Sequence, residues 1–262
     1  LTFKDNTKTE GIVFLAHGFA GSTSFMRPIA VALAKAGYKT IRYDFQGHGR
    51  HSEPYSGDIT TTQGATQLFL DQTNKIINHY FDKNKSSKGV IIGHSMASDI
   101  IFRAALTNNK IISSIGISNY TDVIEESRPK NVLMLNGQWE SHLRKKGLSI
   151  LTHIGVNNPQ ENTLYGSIEA GTARKVASVN NADHVGILYS RQTQKKLIQW
   201  VDSVFKKQSS TETNAIGIWT AILLLSLFFS FCLSTHFLHF VEFEKIKVTF
   251  QSILFVNVLA GI

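Results

Sequence analysis

Gly89-Val-Ile-Ile-Gly-His-Ser-Met-Ala-Ser98 is the stretch on which the reading of this chain turns. Residues 90–92 are apolar without a break, as a short strand buried on both faces must be. Gly93-His-Ser-Met-Ala97 follows at once, and Ala97, Ile100, Ile101, Ala104 and Ala105 then recur at the spacing of one helix face. A strand that turns sharply into a helix lifts the serine at its apex, Ser95, clear of both elements, so that its hydroxyl can meet a substrate. The same turn aims the backbone N–H of Met96, at the start of the helix, toward a developing negative charge. Strand and helix pass close together there, which demands small residues at 93 and 97; Gly93 and Ala97 meet that demand.

Apolar runs at 11–16, 38–43, 111–117, 132–135 and 175–179 read as further strands. Between them lie helical patterns. Met26, Ile29, Ala30, Leu33 and Ala34 share one face, and a long helix is predicted from about Thr60 with Ala65, Leu68, Phe69, Ile76 and Tyr80 on its apolar side. Leu197, Trp200, Val201, Val204 and Phe205 mark a last amphipathic helix. Strands alternating with helices predict an α/β fold, a mainly parallel sheet covered on both faces. Residues 1–10 read as the tail of an edge hairpin. In 141–174, Leu148, Ile150, Leu151 and Ile154 suggest only a short helix, followed by a polar stretch that is either a flap or a long surface connection. The gap between 117 and 132 is too short for a large helical lid.

With 27 Lys and Arg against 19 Asp and Glu, the 262-residue chain carries a formal charge of +8. The basic groups are scattered, without the interleaved aromatics of a nucleic-acid surface, so no nucleic-acid partner is expected. A solvated face, or attraction to anionic lipid headgroups, accounts for them. The single cysteine, Cys232, excludes an intrachain disulfide and a cysteine-based metal site.

Composition changes sharply after Glu212. From 213 to 241 there is no Asp, Glu, Lys or Arg, and the run from Ile216 is apolar on every side. About 20 such residues cross a bilayer as a helix. The expected organisation is a globular domain at 1–210 and a membrane segment at 211–262, with a transmembrane helix at about 216–238. Trp219 and the pair His236 and His239 would lie at its two interfaces. The apolar run from 248 reads as the start of a second, truncated span. Leu1 in place of methionine, and the apolar end at Ile262, give the expectation that both termini are cut. Arg191, Lys195, Lys196, Lys206 and Lys207 precede the span, whereas only Lys245 and Lys247 follow it, which places the globular domain on the cytoplasmic side.

A serine hydroxyl is a poor nucleophile until a base takes its proton, and the base needs a third group to orient it. A histidine after the last strand is supplied by Asn181-Ala-Asp-His184, where Asp183 is expected to shape the turn. The acid should follow an intervening strand, and Gly137-Gln-Trp-Glu140 presents Glu140; Asp122, after the strand at 111–117, is the alternative. A second N–H to face that of Met96 comes from His17-Gly18-Phe19, where Gly18 lets the backbone turn so that Phe19 N–H enters the site. The Phe19 side chain would wall an acyl pocket, and His94, inside the turn, would lie beside the substrate.

These segments, together with Asp44-Phe-Gln-Gly-His-Gly49, resemble the α/β-hydrolase superfamily, in particular small serine esterases and monoacylglycerol-lipase-like members. They cover roughly residues 11–206 in the family's order. Ala97 for a second glycine, Glu140 for the commoner aspartate, the absent lid, the missing first strands and the appended membrane segment are departures. The resemblance implies a serine hydrolase acting on a carboxylic ester, with an acyl-ester or lipid-like substrate and with neither metal nor cofactor; the apolar run from Ile216 adds a membrane anchor, with the bilayer as partner. Acyl transfer, thioester or peptide cleavage with the same residues, and a non-catalytic tethered binding module, are the competing readings.

Overall fold

Ile12–Ala16 (β1) and Gly89–His94 (β3) are buried at every position, because helices cover both faces of these strands. A computed structural model describes residues 11–58, 61–83, 88–210 and 212–238. The other strands are Lys39–Tyr43 (β2), Ile111–Ile117 (β4), Val132–Gly137 (β5), Leu164–Tyr165 (β6) and Arg174–Val179 (β7). They form one seven-stranded sheet in the order β2-β1-β3-β4-β5-β7-β6, parallel throughout except for β6. The α/β-hydrolase arrangement expected from the sequence is therefore present. The chain steps outward from β1 to β2 and then returns to place β3 on the other side of β1. The loops leaving β1 and β3 diverge at that point, which opens a crevice at the carboxyl ends of the strands.

Alternation along β1 sorts its side chains between two cores. Val13 and Leu15 face Ile29 and Leu33 of the helix Arg27–Lys35 (α1) and Leu197 and Val201 of Arg191–Phe205 (α5). Ile12 and Phe14 face the opposite layer, built from Gln67–Lys83 (α2), Met96–Thr107 (α3) and Ser141–His153 (α4). Phe14 is fully buried with its ring edge-on to Phe81; burial of one such ring is worth about 2–3 kcal/mol. Local signals set the helix ends. Pro28 opens α1, where a missing N–H costs nothing, and Gly37 at φ 89° closes it. Ser190 caps α5 by accepting the N–H of Gln192.

Two expectations are corrected. The helix predicted from about Thr60 becomes regular only at Gln67, because Gly64 leaves helical geometry at ψ −117° where it passes the backbone of Asp58. The 141–174 region is neither a flap nor a bare connection. Its helix begins at Ser141, packs Gly147 against Val176 of β7, and is followed by β6, which edges the sheet.

The chain divides into two compact units, Leu1–Gly217 and Ile218–Ile262. The helix Ile216–Leu238 (α6) has an 18-residue window of mean hydropathy 2.3, none of it buried. At 1.5 Å per residue it is long and apolar enough to cross a membrane. The edge hairpin at 1–10, His239 and the second span from 248 lie outside the described residues.

Candidate active site

Ser95 stands between β3 and α3 with φ 51° and ψ −120°, a conformation that a non-glycine residue holds only at a cost of about 1–3 kcal/mol. The bond from Ser95 N–H to the Ile117 carbonyl, 2.9 Å, pins it there from the neighbouring strand β4. Close packing below the turn explains the small residues: a Cβ on Gly93 would lie 2.6 Å from the carbonyl oxygen of Ala97. Ala97 itself is fully buried.

His184 hangs from the loop after β7, and its Nε2 lies 2.9 Å from Ser95 Oγ. Its Nδ1 lies 2.6 Å from Glu140 Oε1. The other carboxylate oxygen of Glu140 accepts the hydroxyl of Ser118 at 2.9 Å and the N–H of Gly137 at 2.6 Å. Glu140 directly precedes α4. An anionic acceptor on Nδ1 holds the proton on that nitrogen and leaves Nε2 free to receive the serine proton. Asp183 Oδ1 accepts the N–H groups of Val185 and Gly186, which folds the turn that carries His184.

Asp122, the alternative acid, is not at the imidazole. Its side chain is exposed and pairs with Lys146 at 3.3 Å. The loop after β4 turns outward at Thr121, whose hydroxyl is taken by Asp99. That loop contributes Ser118 instead, a residue sequence reasoning missed. Its signal was weak but real: a serine just past the buried strand β4, which neighbours β3.

His94 does not present itself to a substrate. It ends the fully buried strand β3, so its ring lies beneath the loops, 7% exposed. Its Nε2–H donates to the backbone carbonyl of His184 at 2.7 Å, and the two rings stand 5.0 Å apart. Burial first, and the neighbouring His184 among lesser causes, push its pKa down to about 4, so it remains neutral at ordinary pH. The unfolded chain therefore binds the extra proton between the ordinary value of 6.5 and about 4. Stability is fully present above that window and declines as pH falls through it, by about 3 kcal/mol for this group. His94→Gln keeps a donor to the His184 carbonyl and removes the titration. Denaturant unfolding across that window should show the wild type losing about 3 kcal/mol more than the variant; identical losses would contradict this.

The first loop is built the same way. His17 is completely buried and held neutral, with desolvation the main cause of its lowered pKa. Its Nδ1–H donates to the Gly18 carbonyl at 2.8 Å while its Nε2 accepts the N–H of Phe45 at 3.1 Å. Gly21 N–H also donates to the Gly18 carbonyl, at 3.0 Å. With that carbonyl held on one side of a trans peptide, the N–H of Phe19 points to the other. Gly18 lies against the turn between β3 and α3: a Cβ there would be 2.9 Å from His94 Nδ1 and 3.1 Å from Ser95 Cβ. Met96 N–H opens α3 beside Ser95. The Phe19 side chain is 70% exposed and stands edge-on to His48 at 5.7 Å.

Comparison with known proteins agrees with this geometry at the level of family and fold. The family model described as serine aminopeptidase, S33, matches residues 7–184. A 41-residue segment is 51% identical to the thermostable monoacylglycerol lipase of Bacillus sp. (strain H-257), covering 16% of each chain. A 94-residue segment is 32% identical to an epoxide hydrolase of Caballeronia sordidicola, covering 36% of this chain and 26% of that one. The matched segments thus span about a quarter or less of these relatives' own lengths. Among solved structures, a soluble variant of the monoglyceride lipase of Saccharomyces cerevisiae aligns with a TM-score of 0.56 at 12% identity, over 79% of this chain and 90% of that one.

Proposed function

The chain belongs to the serine aminopeptidase, S33, family of α/β-hydrolases, and we propose that within it this protein is a membrane-anchored serine hydrolase that cleaves carboxylic esters. The observation that carries the reading is the unbroken hydrogen-bond chain from Ser95 through His184 to Glu140. Ser95 Oγ attacks the acyl carbonyl as His184 Nε2 takes its proton. Glu140 stabilises the imidazolium. The N–H groups of Phe19 and Met96 receive the oxyanion, each such donor typically contributing about 3 kcal/mol. His184 then protonates the leaving alcohol, which frees the acyl-enzyme, and a water activated by the same imidazole releases the acid. Every proton is carried by side chains of this chain, so the cycle needs no metal and no organic cofactor.

An acyl-ester or lipid-like substrate fits the open rim, since residues 118–131 between β4 and β5 form neither helix nor strand. The apolar helix α6 provides the anchor, and the basic residues before it favour a cytoplasmic domain. The family description makes peptide cleavage the natural competitor. Purified full-length protein should turn over p-nitrophenyl acyl esters with a burst of nitrophenol, while aminoacyl p-nitroanilides react at least about a hundredfold more slowly. Faster anilide cleavage would overturn the ester assignment and leave the triad chemistry in place.

A further inference from the structure

The path of the chain between α5 and α6 determines where the apolar helix leaves the domain. After α5, Lys207 N–H bonds back to the Asp202 carbonyl, and Ser209 Oγ donates to the carbonyl of Ala36 at 3.0 Å. Ala36 ends α1, at the amino-end side of the sheet. Asn214 is then held at the opposite side. Its Nδ2 donates to the Pro28 carbonyl at 2.7 Å, its backbone N–H to Gln194 Oε1 at 2.8 Å, and its Oδ1 accepts from Gln194 Nε2. Pro28 and Gln194 lie in the first turns of α1 and α5, the helices that directly follow the His17–Phe19 loop and the His184 loop. The connection thus climbs the length of α1, about 12 Å, and returns to the carboxyl ends of the strands. Gly217 completes the path against Tyr189, in the turn after His184: a Cβ on Gly217 would meet Tyr189 Cβ at 2.9 Å.

That same end carries the domain's exposed apolar surface. Among the described residues up to Gly217, the exposed large apolar side chains are Phe19, Phe25, Tyr55, Tyr120, Trp139 and Val185, together with Leu164. The first six lie in loops at the carboxyl ends of β1, β2, β4, β5 and β7; only Leu164, in β6, does not. Tyr120, Trp139 and Val185 follow or flank Ser118, Glu140 and His184. Aromatic side chains with an apolar body and a wet edge are suited to the lipid headgroup region.

We propose that this rim docks on the lipid–water interface, so that Ser95 takes its acyl ester from the bilayer that holds the chain. The proposal rests on the hydrolase reading for its chemistry, but its geometry stands separately. The exit of the chain selects the bilayer as occupant: Gly217, the last residue of the globular unit before the apolar helix, lies against Tyr189 in the turn after His184.

The test uses the full chain reconstituted in phosphatidylcholine vesicles, in a Cys232→Ser background. An NBD fluorophore attached through Trp139→Cys, or through Tyr120→Cys as a second rim reporter, should shift to the blue and be quenched by spin-labelled lipid. The same fluorophore attached through Asn109→Cys, in the loop at the opposite end of the sheet, should do neither. Trp139→Ser should lower hydrolysis of a vesicle-embedded long-chain umbelliferyl ester about tenfold while leaving soluble p-nitrophenyl acetate unchanged. Rim labels that remain water-exposed, or quenching equal at both ends, would overturn the proposal. A blue shift without lipid quenching would also overturn it, in favour of a second copy covering the rim. Loss of all hydrolysis, with Ser95 inert to fluorophosphonate, would remove the hydrolase reading while the fluorescence result still decided the docking.

Discussion

Ser95→Ala should lower kcat on a p-nitrophenyl ester by a factor of about a million, with the fold unchanged. The size of the loss follows from what remains. Without Oγ there is no oxygen to attack the carbonyl, and His184 Nε2 loses the group that lies 2.9 Å away. Only transition-state binding by the backbone donors survives, worth roughly a thousandfold over water. Stability should scarcely move. Ser95 is only partly buried and its hydroxyl contacts a half-exposed histidine, so the lost bond is worth about 1 kcal/mol or less. The strained backbone at φ 51° is held by the Ser95 N–H bond to Ile117 and by the close approach of Gly93 to Ala97, neither of which involves the side chain. Steady-state assays alongside denaturant unfolding test both halves. Retained turnover would remove Ser95 as nucleophile, and lost folding would point to a structural serine.

Glu140→Gln is the second large effect, a fall in kcat of about ten-thousandfold. The carboxylate accepts three hydrogen bonds, from His184, Ser118 and Gly137. A glutamine can satisfy Ser118 and Gly137 with its carbonyl oxygen, and its amide then faces the imidazole as a donor. Nδ1 must accept that bond, which moves the ring proton to Nε2, the nitrogen that has to take the serine proton. The tautomer is wrong and the charge that stabilises imidazolium is gone. Glu140→Asp keeps the charge on a shorter arm and should retain more activity. Asp122→Asn, far from the ring and paired with Lys146, should change kcat less than about twofold. A large loss at Asp122 with little at Glu140 would reverse the acid assignment.

Much of this was legible in the sequence because the informative features are local. The strand, turn and helix around Ser95 announce themselves through an unbroken apolar run, a helical period and small residues where backbones approach. The separation of Glu140 and His184 into later loops follows from counting strands. Other features depend on three-dimensional neighbours that no periodicity reveals. Ser118 matters only because β4 and β5 bring it to Glu140. His94 was expected beside substrate because it adjoins Ser95, but side chains alternate along a strand and the turn sends its ring under the His184 loop. The two residues of β6 are too few to show a period. Asn214 sits in a polar stretch like any linker residue, and only its bonds to Pro28 and Gln194 show that the chain has been led back to the catalytic end.

Every step proposed for this protein depends on Ser95 acting as a nucleophile activated by His184. Fluorophosphonate labelling of the full-length protein, followed by peptide mapping, tests it most directly. One phosphonyl group per chain is expected, on the peptide that contains Ser95, with labelling slowed by at least about a thousandfold in His184→Gln. No adduct at saturating probe, an adduct on another serine such as Ser118, or a rate indifferent to His184 would contradict it.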